Sequence, residues 1–196
     1  MLFIKHRCNN FDDLENTPKN YGIEIDIRSF KEELILNHEP YEIGPIFEEW
    51  LKKFDHKFLI LNVKEEGIES RCLDLVKRFN IKDYFFLDQS FPMLIKSART
   101  SSLETSIRFS EYESIETVLK FKDLVSWVWV DYYEKYPLND YIVNILKKNN
   151  FKICLVSPEL QGYNTREIKT AYASIKNFYT KIDAICTKNI SFWESY

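Results

Sequence analysis

Short apolar runs alternate with segments of helical period along the chain, and this alternation constrains the fold more than any other feature. Eight runs rich in β-branched and aromatic residues have strand length; they cover residues 2–6, 22–28, 58–63, 84–88, 103–109, 126–131, 151–157 and 183–187. Helical spacing of apolar residues is clearest over residues 43–54, 67–79 and 138–149. Strands that alternate with helices form parallel sheets through right-handed crossovers. Eight such units predict a compact, single-domain (β/α)₈ TIM barrel over residues 1–196.

An open doubly wound sheet is the alternative fold, and the glycine content argues against it. Such a sheet normally carries a glycine-rich phosphate loop in its first turn. The 196 residues include only 4 Gly, and none of them lies in a G-x-G or G-x-x-x-x-G-K pattern. The first turn reads Arg7-Cys8-Asn9-Asn10 instead.

The net charge and the placement of the cysteines limit the binding partners and the cellular compartment that the sequence predicts. A net charge of −3 gives no electrostatic footprint for nucleic acid or for an anionic membrane surface. No apolar stretch approaches the roughly 20 residues of a membrane span, and the first residues do not form a signal peptide. The cysteines are scattered without a C-x-x-C pair, which favours reduced thiols and predicts a cytoplasmic protein.

Two carboxylates lie two residues apart on the second predicted strand. Function in a barrel collects at the carboxyl ends of the strands, where Glu24 and Asp26 would share one face. The alternating isoleucines on the other face would pack outward, which turns the carboxylates inward. Two carboxylates at close range need a cation between them, and oxygen ligands favour Mg²⁺ or Ca²⁺. The alternative interpretation is a strand edge whose acidic face meets solvent.

Histidines and basic residues follow several of the predicted strands. His6 and His38 flank the acidic strand in sequence and could serve as acid and base at phosphorus. Arg7, Lys64 and Arg108, also at strand ends, could contact phosphoryl oxygens. Each of these residues alone would more often be a packing histidine or a solvated surface cation.

These residues spell a pattern that resembles the glycerophosphodiester phosphodiesterase family of the phospholipase C-like phosphodiesterases. The specific segments are His6-Arg7, Glu15-Asn16-Thr17, Gly22-Ile-Glu24-Ile-Asp26-Ile and Leu36-Asn-His38-Glu39-Pro40. The family reads His-Arg-Gly, Glu-Asn-Thr, Gly-x-Glu-x-Asp-Val and His-Asp at these places. Later segments, Leu61-Asn62-Val63-Lys64 and Ile182-Asp183-Ala-Ile-Cys-Thr187, are similar to its Glu-x-Lys strand and its last strand.

The resemblance implies a barrel, a divalent cation and the hydrolysis of a glycerophosphodiester to an alcohol and glycerol phosphate. By position, the acid–base pair would be His6 and His38, the phosphate contacts Arg7 and Lys64, and the metal ligands Glu24 and Asp26 with Asn62 as the third.

Four departures from the family pattern predict altered properties. Cys8 replaces a glycine, Glu39 replaces an aspartate, and Asn62 replaces a glutamate metal ligand. The insertion that most members carry after the second histidine is also missing. We therefore expect a cation that is bound weakly or not at all, and an unusual small-molecule substrate.

Two alternatives to a hydrolase remain open on the sequence. A barrel that has lost turnover could bind a phosphorylated ligand or a partner, as Asn62 and Cys8 would favour. A lyase that stops at the cyclic phosphate would use the same residues as the hydrolase.

Overall fold

The computed structural model describes residues 1–100 and 103–196, which hold nine β-strands and eight α-helices. The strands are β1 (Leu2–Lys5), β2 (Gly22–Phe30), β3 (Glu33–Leu36), β4 (Phe58–Val63), β5 (Tyr84–Leu87), β6 (Ser106–Phe109), β7 (Trp127–Val130), β8 (Lys152–Val156) and β9 (Ala184–Thr187). Apart from β3, each strand lies within a predicted run except for a residue or two at its ends.

The helices occupy the segments between the strands. They are α1 (Phe11–Asn16), α2 (Phe47–Leu51), α3 (Glu69–Arg78), α4 (Phe91–Thr100), α5 (Ile115–Leu119), α6 (Asp140–Lys148), α7 (Thr165–Ile175) and α8 (Ile190–Glu194). Four of them begin at an Asn or Ser whose side chain accepts a hydrogen bond from a backbone N–H of the first turn, namely Asn10, Ser114, Asn139 and Asn164. This strand–helix alternation is that of a (β/α)₈ barrel, so the predicted fold class is confirmed.

The chain forms two compact units, residues 5–104 and residues 1–4 with 105–196. In residues 5–104 the strand order is β5-β4-β2, and β3 pairs antiparallel with β2. The other three strands are parallel, and Asp26 of β2 is the register partner of Asn62 of β4. The core of this unit holds Ile23, Ile25 and Ile27 packed with the large side chains of α2, including Phe47 and Trp50.

The unit of residues 1–4 and 105–196 carries the strand order β1-β9-β8-β7-β6. The registered pairs within β6–β9 are parallel. Most side chains of these strands are buried, and Lys147 and the backbone N–H of Ile153 bind the carboxylate of Asp183 before β9. All four cysteines of the chain are buried free thiols. None of the helices in the described ranges is long and apolar enough to cross a membrane.

A short hairpin follows the acidic strand. β2 and β3 are joined by Lys31 and Glu32 alone, and Lys31 adopts the left-handed φ of 54° that such a turn needs. The loop after β3 returns closely, because a Cβ on Gly44 would lie 1.9 Å from the carbonyl oxygen of Leu36. The hairpin therefore brings the residues after Leu36 back to the end of β2, where the backbone N–H of Asn37 donates to the carbonyl of Asp26.

Candidate active site

The acidic face of β2 is buried. Glu24 is 0% exposed and Asp26 is 1% exposed, while the isoleucines that alternate with them enter the core. The structure therefore places both carboxylates on one face, as the alternation predicts.

Glu24 is held by its neighbours on the adjacent strand and turn. Its Oε2 accepts from the backbone N–H of Arg7 at 2.7 Å, and its Oε1 accepts from Nδ2 of Asn62 at 2.9 Å. Nε2 of His6 lies 3.8 Å from Oε2. Burial, followed by the charge of Asp26, raises the pKa of Glu24 to about 7. A positive group near this pair therefore favours the ionised carboxylate.

Asp26 is surrounded by donors on both oxygens. Its Oδ2 accepts from Nδ2 of Asn9 at 2.8 Å and lies 3.3 Å from Nε of Arg7. Its Oδ1 lies 3.2 Å from Nζ of Lys64, which is also 3.4 Å from Oδ2 of Asp88. Two carboxylates and two cationic side chains thus meet in one buried cluster.

Asn62 lies at the position where the sequence resemblance implies a third metal ligand. It is 6% exposed, and its Oδ1 is a buried atom with no hydrogen-bond partner among the described residues. Its amide currently directs Nδ2, a donor, toward Glu24. Rotation of the amide by half a turn would place an oxygen beside Glu24 in its place.

The turn after β1 aims a backbone donor at the carboxylates. Arg7 has a φ of 56°, which is uncommon for a residue with a side chain and places its N–H on Glu24. Cys8 is not among the residues with positive φ, and its thiol lies 3.9 Å from the hydroxyl of Thr17 in the core. The Cys8 side chain therefore points away from Glu24, and the turn accommodates the replacement of glycine.

His38 is oriented by its neighbour in sequence. Its Nδ1 lies 2.6 Å from Oε1 of Glu39, and this hydrogen bond lowers the pKa of Glu39. Nε and Nη2 of Arg28 donate to the carbonyl of His38 at 3.1 and 2.9 Å. The replacement of aspartate by Glu39 thus keeps a carboxylate on the imidazole, which fixes the ring so that Nε2 is free of this contact.

Arg108 belongs to the unit of residues 1–4 and 105–196. It lies on β6, where its Nη1 forms an ion pair with Asp131 and donates to the hydroxyl of Tyr133 at 3.0 Å. The other predicted side chains all lie in residues 5–104, and the structure brings six of them together: His6, Arg7, Glu24, Asp26, Asn62 and Lys64.

Sequence reasoning missed Asn9 and Arg28. Asn9 forms two bonds with Asp26, since its Oδ1 also accepts from the Asp26 backbone N–H at 2.8 Å. Arg28 joins the His38 segment to the carbonyl of Lys64 at 3.3 Å. The sequence offers a signal for both, because Asn9 lies two residues after Arg7 and Arg28 lies two residues after Asp26 on the same strand.

The site offers oxygen ligands that suit a divalent cation, but protein hydrogen-bond donors already contact the carboxylate oxygens. Carboxylate oxygens and an amide oxygen are the ligands that Mg²⁺ and Ca²⁺ prefer, and the buried Oδ1 of Asn62 has no competing partner in the described part of the chain. Glu24 and Asp26 supply two charges, but their oxygens already accept from protein donors. No group of three His, Cys, Asp or Glu side chains in residues 1–100 and 103–196 is arranged as a metal site. The residues therefore fit a weakly held cation.

The fold was compared with solved structures. A phosphodiesterase from Oleispira antarctica in complex with the product sn-glycerol-3-phosphate has a TM-score of 0.73 at 13% identity, over 100% of this chain and 96% of that one. A glycerophosphoryl diester phosphodiesterase from Parabacteroides distasonis has a TM-score of 0.66 at 15% identity, over 95% of this chain and 82% of that one. One from Agrobacterium tumefaciens has a TM-score of 0.63 at 13% identity, over 100% and 99%.

The chain shares the fold of glycerophosphodiester phosphodiesterases. At 13–15% identity this similarity establishes the fold and leaves the chemistry to be argued from the site. A scan against protein-family models and a search of curated proteins found no match.

Proposed function

We propose that the chain cleaves phosphodiesters of the glycerophosphodiester type at the cluster around Glu24 and Asp26. The observation that carries the proposal is that His6, Arg7 and Lys64 approach this buried carboxylate pair in one unit of the fold. A phosphodiesterase of similar fold holds sn-glycerol-3-phosphate, which supports a ligand with a glycerol phosphate group.

Phosphate binding is the role of the basic side chains. Arg7 is 39% exposed and Lys64 is 15% exposed, so both can present N–H donors to a ligand while they stay near Asp26. Charge-assisted hydrogen bonds to phosphoryl oxygens are strong and position the phosphorus. Arg108 stays a predicted phosphate contact.

Acid–base catalysis is the role of the histidines. A substrate hydroxyl next to the phosphate attacks phosphorus, one histidine takes its proton, and the other protonates the leaving oxygen. Glu39 holds the ring of His38 by its Nδ1, which leaves Nε2 to exchange the proton. Nε2 of His6 lies 3.8 Å from Oε2 of Glu24, which places the imidazole beside the carboxylate pair.

Glu24, Asp26 and Asn62 would hold the divalent cation, Mg²⁺ or Ca²⁺. When bound, the cation supplies positive charge that stabilises negative charge developing on the phosphoryl oxygens. Asn62 contributes no charge, which agrees with weak binding.

Turnover by the histidine variants tests the function. With a panel of glycerophosphodiesters and Mg²⁺, Mn²⁺ or Ca²⁺, His6→Ala and His38→Ala should each lower turnover by about 10²–10⁴-fold while the fold is retained. His56→Gln is the matched control, because His56 is buried against the carbonyl of Thr17 and outside the site. Wild-type rates in either alanine variant would remove that histidine from the mechanism.

The same assay separates the alternatives. Accumulation of a cyclic phosphate without its opening would identify a lyase. Absence of turnover with every cation would favour a barrel that binds a phosphorylated ligand or a partner, which the neutral Asn62 makes the second candidate. A role in lipid metabolism and a cytoplasmic location belong to this proposal as well.

A further inference from the structure

Asp26 is contacted by the same two cationic side chains that the proposed function assigns to the phosphate. Nζ of Lys64 lies 3.2 Å from Oδ1, and Nε of Arg7 lies 3.3 Å from Oδ2. Because Asp26 is 1% exposed, water screens these interactions little. While Lys64 stays at this distance, its ammonium competes with any other cation for Oδ1.

Lys64 has a second partner and space beside it. Its ammonium is 3.4 Å from Oδ2 of Asp88, so it can leave Asp26 without losing every carboxylate contact. A cavity of about 340 Å³ adjoins both residues, and its other polar lining residues are Glu65, Glu66, Glu69, Gln89 and Ser90. Its four carboxylates disfavour a phosphoryl anion, but the volume is large enough for the Lys64 ammonium to move among several water molecules.

The charge of the cluster links the binding of a phosphoryl ligand to the binding of a divalent cation. With all three carboxylates ionised, Glu24, Asp26 and Asp88 carry three negative charges, and Arg7 and Lys64 carry two positive charges. Adding a divalent cation alone would leave this buried cluster with an excess of positive charge. A phosphoryl anion that draws Arg7 and Lys64 toward itself offsets the excess and frees Asp26.

We propose that a phosphoryl ligand and a divalent cation bind this site cooperatively, with Lys64 as the side chain that couples them. The proposal rests on the proposed function and adds a coupling between cation binding and phosphoryl binding at the same site. Thermodynamic linkage requires that the ligand tighten cation binding by the same factor by which the cation tightens ligand binding.

Calorimetric titration of the metal-free protein with Mg²⁺, with and without sn-glycerol-3-phosphate, tests the coupling. The ligand should tighten Mg²⁺ binding to the wild type about tenfold, after subtraction of the same titration without protein. Lys64→Met removes the competing ammonium, so Mg²⁺ should bind more tightly without ligand. The ligand should then tighten Mg²⁺ binding by less than in the wild type, because only Arg7 is left to be drawn from Asp26. Lys57→Met, a change at an exposed lysine just before β4, should keep the coupling.

Asp88→Asn gives an independent measurement in case Lys64→Met does not fold. It removes the second carboxylate of Lys64, so Mg²⁺ binding without ligand should weaken. Equal Mg²⁺ affinity with and without ligand in the wild type, or undiminished coupling in Lys64→Met, would overturn the inference.

Failure of the inference and failure of the proposed function give different results. A wild type that cleaves diesters and binds Mg²⁺ without coupling would refute the inference alone. A wild type that binds no Mg²⁺ under either condition would refute both the inference and the cation, and the histidine variants would still judge the phosphorus chemistry.

Discussion

Two buried carboxylates at strand ends, one in each unit, have different surroundings. Asp131, which follows β7, is 1% exposed and forms an ion pair with Arg108, while Nε2 of Gln161 donates to it at 3.2 Å. Asp26 is equally buried but shares its face with a second carboxylate, Glu24.

The comparison teaches that burial of a carboxylate does not by itself leave its charge without an opposite partner. The pair of Asp131 and Arg108 places one carboxylate against one guanidinium, and its hydrogen bonds hold the strand ends in place. Near Asp26, two like charges are buried together, which raises the pKa of Glu24 to about 7. This arrangement disfavours the charged state of Glu24 even though Arg7 and Lys64 lie close to Asp26, and perturbed groups of this kind are typical of functional sites.

Neutral substitutions of Asp131 and Glu24 should show the difference between the two carboxylate sites most clearly. Asp131→Asn leaves Arg108 without its charged partner and should lower the free energy of unfolding by about 2 kcal/mol. Glu24→Gln removes one of two like charges. Its amide oxygen can still accept from the N–H of Arg7, and its amide nitrogen can donate to Oδ1 of Asn62 once that amide turns by half, so at pH 8 the free energy of unfolding should stay unchanged or rise.

Urea unfolding of both variants at pH 8 measures the difference. Equal destabilisation by the two changes would mean that Glu24 is as fully compensated as Asp131. Glu24→Gln should in addition abolish cation binding, which Asp131→Asn should leave unaffected.

A carboxylate in place of Asn62 should increase the difference in cation binding between the Glu24–Asp26 face and the Asp131–Arg108 pair. Asn62→Glu would place a third carboxylate in the cluster, and affinity at oxygen sites rises with ligand charge. We expect Mg²⁺ or Ca²⁺ binding to tighten by about tenfold or more, and the rate at low metal concentration to rise if the metal limits it. Asn62→Gln, which lengthens the side chain without charge, is the control. Calorimetry that showed the same affinity for both variants would argue against a cation at this face.

Substitution of His56 should give the smallest effect. This residue serves as a reference because it is a buried titratable side chain outside the candidate site. Burial lowers the pKa of His56 below its ordinary value of 6.5, and its Nε2 lies 2.9 Å from the carbonyl of Thr17. Because the folded state binds this proton less tightly than the unfolded state, the stabilisation is present above pH 6.5 and is lost as the pH falls through the lowered pKa.

The pH dependence of unfolding tests this contribution. His56→Gln should reduce the loss of unfolding free energy between pH 7.5 and pH 5, while diester cleavage at pH 7.5 stays at the wild-type rate. An unchanged pH profile would show that His56 keeps its ordinary pKa in the folded protein.

The sequence predicts the fold because the length and composition of its apolar runs indicate every strand except β3. β2 could be recognised since Ile23, Ile25 and Ile27 alternate with charged residues, and the same alternation places Glu24 and Asp26 on one face. The boundaries of α2 were less predictable: its apolar period extends over 43–54, but the helix spans only Phe47–Leu51.

Contacts made by polar side chains across turns were not predictable from pattern. Asn9 binds Asp26 because Arg7 adopts a left-handed φ that redirects the turn, and no periodicity encodes that angle. Cys8 shows the converse case, since its position beside a catalytic motif suggested a disturbance whereas its thiol enters the core. Such side-chain directions depend on tertiary packing, which a single sequence does not reveal.

The two-residue hairpin between β2 and β3 also sets a rule for how this protein can change. Neighbouring residues on a strand face opposite sides, so a one-residue insertion into β3 itself would reverse every side chain that follows it in the strand and alter the approach of His38. Two-residue insertions preserve the facing, and longer additions at Lys31 and Glu32 leave the paired register intact. Variation of this hairpin should therefore be concentrated at its tip, with the stem kept constant in length, in any lineage or library that retains the histidine.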